Sequence, residues 1–323
     1  MRNKLFRSLA LMAIVAITSA CSTKEIPAEV FEAGNGPYIS EVGENLYFVE
    51  DFNNGGNICF LVAKKGVLIV DAGNFPGPVE KVMAIIRKVT DKPLTHLVYT
   101  HVHGDHVGGA AGFPGDISIV AHENLNPNLE KFFSPGLEAF ESRVEELGED
   151  SLRLVYGERF DDIAGVEVRP ANKTFAEEMT VDMGSYTVEL YYPGTCHTSD
   201  NIYVLFKEQK VLHTGDLVFN RRHPFIGAAY EANPWLWAET VKEWAGKDLV
   251  KVIPGHGPVG GPEILAEQSA YVDTLIEASG THKHTQMAIS ESAQELHNEY
   301  FPDFQIGGFF TGGEQLIIDK LGE

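Results

Sequence analysis

A layered α/β fold is predicted by three features of this chain. Short apolar runs separated by Gly- and Asn-rich turns fill its first part, a run with helical spacing follows, and later apolar runs stop at glycine beside histidine or aspartate. The first two are the sequence form of strands giving way to helices. The third marks strand ends that carry chemically useful side chains in the loops beyond them. With 323 residues, the chain is long enough to bury a substantial core, and one domain of about 240 residues plus its ends accounts for it.

Arg2, Lys4 and Arg7 precede an apolar run from Leu9 to Ile17, then Thr18, Ser19, Ala20 and Cys21. This reads as a signal peptide over 1–20, too short for a membrane span. A cysteine directly after small residues resembles a bacterial lipoprotein processing site, although Thr18 stands where leucine is usual. Cys21 is therefore expected to carry lipid, with 21–36 as a tether of small and polar residues. The protein is then exported, periplasmic and membrane-anchored; plain secretion is the alternative.

The folded domain is expected over 37–280. Tyr38–Val42, Leu46–Glu50, Ile58–Ala63 and Val67–Val70 read as successive strands, and Val79, Val82, Met83, Ile86 and Val89 as one face of a helix from Pro78 to Thr90. A strand Leu97–Tyr99, a helix starting near Asp105 and a strand Ile117–Val120 follow. Residues 122–165 are less regular; Leu137, Phe140, Val144 and Leu147 predict an inserted helix there. Strands return at Thr187–Tyr192, Ile202–Phe206 and Val211–His213, and helices at Trp235–Trp244 and Glu263–Ala278, with Gly280 as the expected stop. From 281 to 323 a C-terminal extension is expected to pack on the domain.

The net charge is −21. Nucleic-acid partners need basic surface, so this balance argues against them. The acidic stretch from Glu138 to Asp150 is expected to be a solvated helix face. Cys59 lies in an apolar strand and reads as a small core residue. Cys196 adjoins a histidine but, in an extended segment, points away from it; a Cys59–Cys196 disulfide is not expected.

The densest chemistry is Tyr99-Thr100-His101-Val102-His103-Gly104-Asp105-His106, with three imidazoles and a carboxylate inside six residues. Imidazole nitrogen and carboxylate oxygen are ligands for zinc and similar divalent ions. In an extended turn His101 and His103 point the same way and reach one ion, while Asp105 and His106 face a neighbouring position. Further runs stop at His197, Asp216 and His256, and Leu68-Ile69-Val70 stops at Asp71. Glycines around these ends admit close backbone approach.

In order and content these five motifs resemble the metallo-β-lactamase superfamily over about residues 38–278. The resemblance implies a four-layer αββα sandwich, here with a helical insertion and a C-terminal tail. It implies a first metal on His101, His103 and His197, and a second on Asp105, His106 and His256, with Asp216 bridging and Asp105 also orienting water. Asp71 is expected to orient a ligand imidazole through its free N–H. Two zinc ions are implied, with iron or manganese as alternatives, and a shared hydroxide attacks an ester, thioester, lactone or lactam. His96, His122, His213, His223, His282, His284 and His297 are expected to be structural or surface residues.

Asp216 stands where cysteine-ligand β-lactamases have a thiolate, and Phe219 where they have a lysine. His103 argues against the flavo-diiron branch, and no glutathione-binding domain is recognisable. Asn220-Arg221-Arg222-His223-Pro224 is the best candidate for substrate recognition, the two arginines for an anionic small molecule and Asn201 as a further contact. The alternatives are a β-lactamase or lactonase proper, a mononuclear iron persulfide dioxygenase, and a catalytically silent metal-binding lipoprotein. Oligomeric state is open.

Overall fold

The computed structural model describes residues 38–50, 55–283 and 298–299. The signal peptide, Cys21, the tether, His284, His297 and nearly all of the C-terminal extension lie outside the described residues. So does the side chain of His282.

Two sheets lie face to face. The first has strands β1 (Tyr38–Gly43), β2 (Leu46–Glu50), β3 (Ile58–Ala63), β4 (Gly66–Val70), β5 (Leu94–Val98), β6 (Ser118–His122) and β7 (Lys173–Phe175) in sequential order. β1 to β4 pair antiparallel, and β4 to β7 pair parallel. The second runs β12 (Lys251–Ile253), β11 (Val211–His213), β10 (Tyr203–Phe206), β9 (Thr187–Tyr191), β8 (Glu178–Asp182).

Three apolar clusters fix the layer order. Ile58, Phe60, Val67 and Ile69 pack with Val79, Val82 and Ile86 of helix α1 (Pro76–Val89). The alternate residues of the same strands, Cys59, Leu61, Leu68 and Val70, pack with Val188, Leu190, Val204 and Ile253 of the second sheet. Tyr203, Leu212 and Val252 on the far face meet Trp237 and Val241 of the helix Pro234–Ala245 and Leu265, Val272 and Leu275 of the helix Glu263–Lys283. The sequence of layers is helix, sheet, sheet, helix. Strands buried on both faces read as unbroken apolar runs, which is why β3 and β4 were legible from sequence.

Between β5 and β7 come the short α2 (Gly104–Val107), α3 (Leu125–Asn128) and a π-helical turn Leu129–Phe133. The insertion follows as α4 (Ser134–Leu147), α5 (Glu149–Tyr156) and α6 (Arg159–Ala164). No residue of α4 is buried, as the acidic stretch implied. After β11 come α7 (Pro234–Ala245) and α8 (Glu263–Lys283). Proline near the start and the Asn233 side chain accepting from Leu236 N–H set the start of α7.

The structure corrects several sequence expectations. β7 and β8 gave no readable signal because only Phe175 and Val181 in them are buried. α5 and α6 were not foreseen. α8 does not stop at Gly280 but runs to Lys283. An interior glycine costs about 1 kcal/mol, and packing of Leu275 and Ala278 against the α7 layer outweighs it. No described helix is long and apolar enough to cross a membrane. Cys59 and Cys196 are free and buried, as expected.

Candidate metal centre

The ligand-type residues sit just beyond strand ends that open on one edge of the sandwich. His101 and His103 follow β5, Asp71 follows β4, Asp216 follows β11, His256 follows β12, and His197 lies in the loop between β9 and β10. Two groups of donors result. His101, His103, His197 and Asp216 form one; Asp105, His106 and His256 form the other.

In the first group three ring nitrogens converge. His103 Nδ1 lies 3.0 Å from His101 Nε2 and 3.0 Å from His197 Nε2. Asp216 Oδ2 lies 3.4 Å from His197 Nε2 and 3.6 Å from His101 Nε2. Burial is the main reason the His101 and His103 pKa values fall, with neighbouring imidazoles adding to it, and His103 is brought to about 3. These rings are neutral, the form that binds metal.

The protons on two rings are placed by a relay from Asp71. Thr100 Oγ1 donates to Asp71 Oδ2 at 2.8 Å and is therefore left to accept from His101 Nδ1 at 3.0 Å. With its proton on Nδ1, His101 presents a bare Nε2 to the group. His106 Nδ1 donates to the same Asp71 oxygen at 2.7 Å, which leaves its Nε2 directed at Asp216. Asp71 is fully buried and takes the left-handed backbone region at φ 64°, an uncommon state for a side chain other than glycine. Its other oxygen accepts Thr100 N–H at 2.8 Å. Asp71 thus bonds the His106 ring directly and the His101 ring through Thr100; Thr100 was not singled out from sequence, although it sits inside the motif.

The second group is acidic. His106 Nε2 lies 3.1 Å from Asp216 Oδ1, and His256 Nε2 lies 3.2 Å from Asp105 Oδ2 and 3.3 Å from Asp216 Oδ1. Burial alone would lower both imidazole pKa values, yet Asp216 and Asp105 raise them, His256 to about 9 and His106 well above its ordinary value. Burial likewise opposes ionisation of Asp105 and Asp216, but the imidazoles hold both carboxyls well below the usual range. The ionised carboxylates at this edge, Asp216 buried and Asp105 half-buried, call for positive charge. Asp216 divides its oxygens between the two groups.

The donor set fits bound cations. His106 Nε2 and Asp216 Oδ1 face each other without hydrogen-bond geometry, and neither atom makes a hydrogen bond elsewhere. In the first group the His101 proton is already committed to Thr100, so the protons of its rings cannot satisfy every close nitrogen and oxygen contact. Lone pairs crowded around one point in a buried site are what a metal ion relieves.

Two supports were not legible beforehand. Asn57, fully buried, donates from Nδ2 to Pro254 O at 2.9 Å and Gly257 O at 2.8 Å, holding the His256 loop. Gly56 lies flat on a ligand ring, since a Cβ there would come within 2.3 Å of His106 Cε1. A Gly-Asn pair in sequence looks like any turn; only the packing reveals these roles.

The substrate candidates fare differently. Asn201 is buried, accepts Cys196 N–H at 3.2 Å and Thr198 N–H at 2.9 Å, and donates to Gly194 O at 3.1 Å. Its polar atoms are thus spent inside the loop that carries His197, a correction to its expected substrate contact. Arg221 is exposed with φ 60°, and Arg222 is half-buried. Both follow the bridge of Phe219 to His256, beside the second group. Tyr230 is half-buried beside His103, and burial raises its hydroxyl pKa with Asp105 adding to the shift. Sequence reading did not single it out. His122 stacks on Tyr192 and bonds Ala176 O, and His223 bonds the Tyr271 hydroxyl at 2.7 Å, both structural as expected. His213 is buried behind the site and accepts Gly215 N–H.

A model of the metallo-beta-lactamase superfamily matches residues 53–256, more than half of the chain. The chain belongs to the metallo-beta-lactamase superfamily. It is a metal-dependent hydrolase of that superfamily.

Among its relatives, a metallo-beta-lactamase type 2 from Bacillus sp. (strain 170) is 25% identical over 78% of this chain and 89% of that protein. A linear primary-alkylsulfatase from Pseudomonas sp. (strain ATCC 19151) is also 25% identical, over 64% of this chain but 42% of the relative. A solved sec-alkylsulfatase from Pseudomonas sp. superposes with TM-score 0.64 at 15% identity, over 87% of this chain and 50% of that one. The chain thus spans about half of the alkylsulfatases it matches. A metallo-beta-lactamase from Pontibacter korlensis superposes with TM-score 0.54 at 20% identity, over 73% of this chain and 98% of that one.

Proposed function

We propose that this protein is a dinuclear zinc hydrolase acting on a small anionic substrate with an ester, thioester, lactone or lactam bond. The observation that carries the proposal is the division of Asp216 between two complete donor groups. His101 Nε2, His103 Nδ1, His197 Nε2 and Asp216 Oδ2 would hold one ion. Asp105, His106, His256 and Asp216 Oδ1 would hold the other. Two bound zinc ions would supply water activated at neutral pH and a Lewis acid for the scissile group.

The chain supplies positioning and proton control. Asp71 and Thr100 fix the ring protons of His106 and His101 away from the ligand nitrogens. Asp105, with 27% of its side chain exposed against 4% for Asp216, is the carboxylate open to the mouth. There it can accept a hydrogen bond from the attacking water and orient it. Arg221 and Arg222 follow the strand bridge to His256 in the chain and would pair with a substrate carboxylate.

A second reading is hydrolysis of a sulfate ester, favoured by the alkylsulfatase relatives and compatible with the same arginines. β-Lactam or lactone hydrolysis proper is favoured by the lactamase relatives. The second donor group weighs against a mononuclear iron persulfide dioxygenase. Metal analysis of protein purified without chelator, with a panel of ester, thioester, lactone, lactam and sulfate-ester substrates, tests these readings. Two zinc ions per chain with hydrolysis are expected; a single iron with oxygen consumption would overturn the proposal.

We also propose export to the periplasm with a lipid anchor on Cys21, from the signal sequence alone. Several acyl chains, at about 0.8 kcal/mol per buried methylene, would hold the chain on a membrane. The mature protein then fractionates with membranes, and Cys21→Ala releases it or blocks maturation. Soluble wild-type protein with an unmodified N-terminus would leave plain secretion.

A further inference from the structure

We propose that an aromatic wall beside the first donor group is a subsite for an apolar part of the substrate, an aryl or alkyl group next to the scissile bond. The inference rests on the hydrolase reading and adds the portion of substrate that the metal-type donors and arginines leave unaddressed.

Four aromatic side chains from two separate stretches meet near His103. Tyr230, in the 3₁₀ turn Ala228–Tyr230, stands edge-to-face on His103, with ring centroids 4.3 Å apart and planes at 89°. Phe225, earlier in the same loop, lies 5.3 Å from His103 and 6.2 Å from His197. From the insertion side, Phe132 lies 4.7 Å from Tyr230. Phe133 runs along the backbone beside His103, where a Cβ on Gly104 would meet it at 3.1 Å. The two stretches are tied by the Lys131–Glu231 ion pair at 3.1 Å, next to Phe132 and Tyr230.

Burial separates this group from ordinary core packing. Phe60, Phe206, Tyr203 and Trp237 are fully buried, whereas all four wall residues are only partly so. The wall also belongs wholly to neither core. Phe132, Phe133 and Tyr230 border the cluster under the first sheet, and Phe225 borders the one under the second. Half-buried aromatic faces over a donor cluster leave apolar surface for a ligand to cover, and aromatic rings favour aryl and alkyl groups.

The test is a series of thioesters with acyl chains from acetyl to octanoyl, on zinc-loaded protein. kcat/KM is expected to rise about two- to fourfold per added methylene through the short chains, mainly by lowering KM; fourfold is the conversion of about 0.8 kcal/mol per buried CH₂. Phe225→Ser and Tyr230→Ser are expected to flatten the series, while Tyr230→Phe keeps the slope. Zinc content and circular dichroism should be unchanged in all three. A flat series in the wild type, or a slope that survives both serine variants, overturns the subsite. If no thioester is cleaved, the carbonyl reading fails separately, and calorimetric binding of 4-phenylbutyrate against acetate decides the subsite. Tighter binding of the aryl acid by about tenfold or more, lost in the serine variants, supports it; equal affinities overturn it.

Discussion

The two donor groups share Asp216 and little else. The first contains His101 and His103, whose pKa values burial lowers, together with the fully buried His197. The second is governed by carboxylates, opens to the mouth through Asp105 and His256, and holds its imidazoles protonated until the pH is high. His101 and His103 are ready for a cation over the neutral range, whereas the second group must give up protons to accept one. The contrast teaches that a site symmetric in its ligand count can be asymmetric in its readiness.

The harshest way to break the comparison is to remove its centre. His103→Ala deletes the nitrogen on which His101 and His197 converge, so hydrolysis should fall to background while circular dichroism shows the fold retained. Retained turnover would show that the first group is not where the metal acts.

Proton competition gives the next effect. Metal binding to the second group should tighten by about tenfold per pH unit for each proton displaced between pH 6.5 and 9, whereas His101 and His103 should add no such imidazole term to the first. Zinc titrations at pH 6.5, 7.5 and 8.5 would read both steps, and parallel slopes would erase the distinction. The same shift governs the metal-free fold. The His256 pKa of about 9 in the folded chain lies above its ordinary 6.5. Its contribution is therefore fully present below 6.5 and lost as the pH rises through about 9. At most about 3 kcal/mol is involved. Urea midpoints of chelator-treated protein across that window should fall, and less so in His256→Asn.

Asp71 sharpens the comparison because it serves both groups. Asp71→Ala should weaken metal binding at each by about 10- to 100-fold, whereas Thr100→Val should weaken chiefly the first, toward the lower end of that range. Equal losses at both groups in Thr100→Val would mean that the relay does not orient His101 selectively. The smallest effect expected is at the arginines. Arg221→Ala or Arg222→Ala should raise KM for carboxylate-bearing esters about three- to tenfold with little change in kcat, the mark of lost uniform binding. Matched neutral esters should be unaffected; equal response of both would return the pair to a surface turn.

Much of the scaffold was legible because its central strands are buried on both faces and its first helix has a clean apolar stripe. β7 and β8 escaped because their side chains are mostly exposed, and edge pairing leaves little trace in hydrophobic pattern. The site divides in the same way. His101, His103, Asp105 and His106 are neighbours in sequence, and His197, Asp216 and His256 announce themselves as ligand types after apolar runs. Asn201 misled because an asparagine that knits its own loop and one that meets a substrate look alike until its three partners are seen.

The sequence by itself determined the central strands and the outer helices α1, α7 and α8, the layered class and the donor types, because these depend on local pattern and on which side chains can bind a cation. Tertiary structure alone decided how those donors are used. Asp71 reaches Thr100 and His106 across 29 and 35 residues, Asn57 holds the His256 loop across 197 and 200, and Tyr230 settles on His103 from a loop with no pattern of its own. Hydrogen-bond direction, ring tautomer and burial are properties of neighbours in space, and packing two sheets face to face is what makes those neighbours.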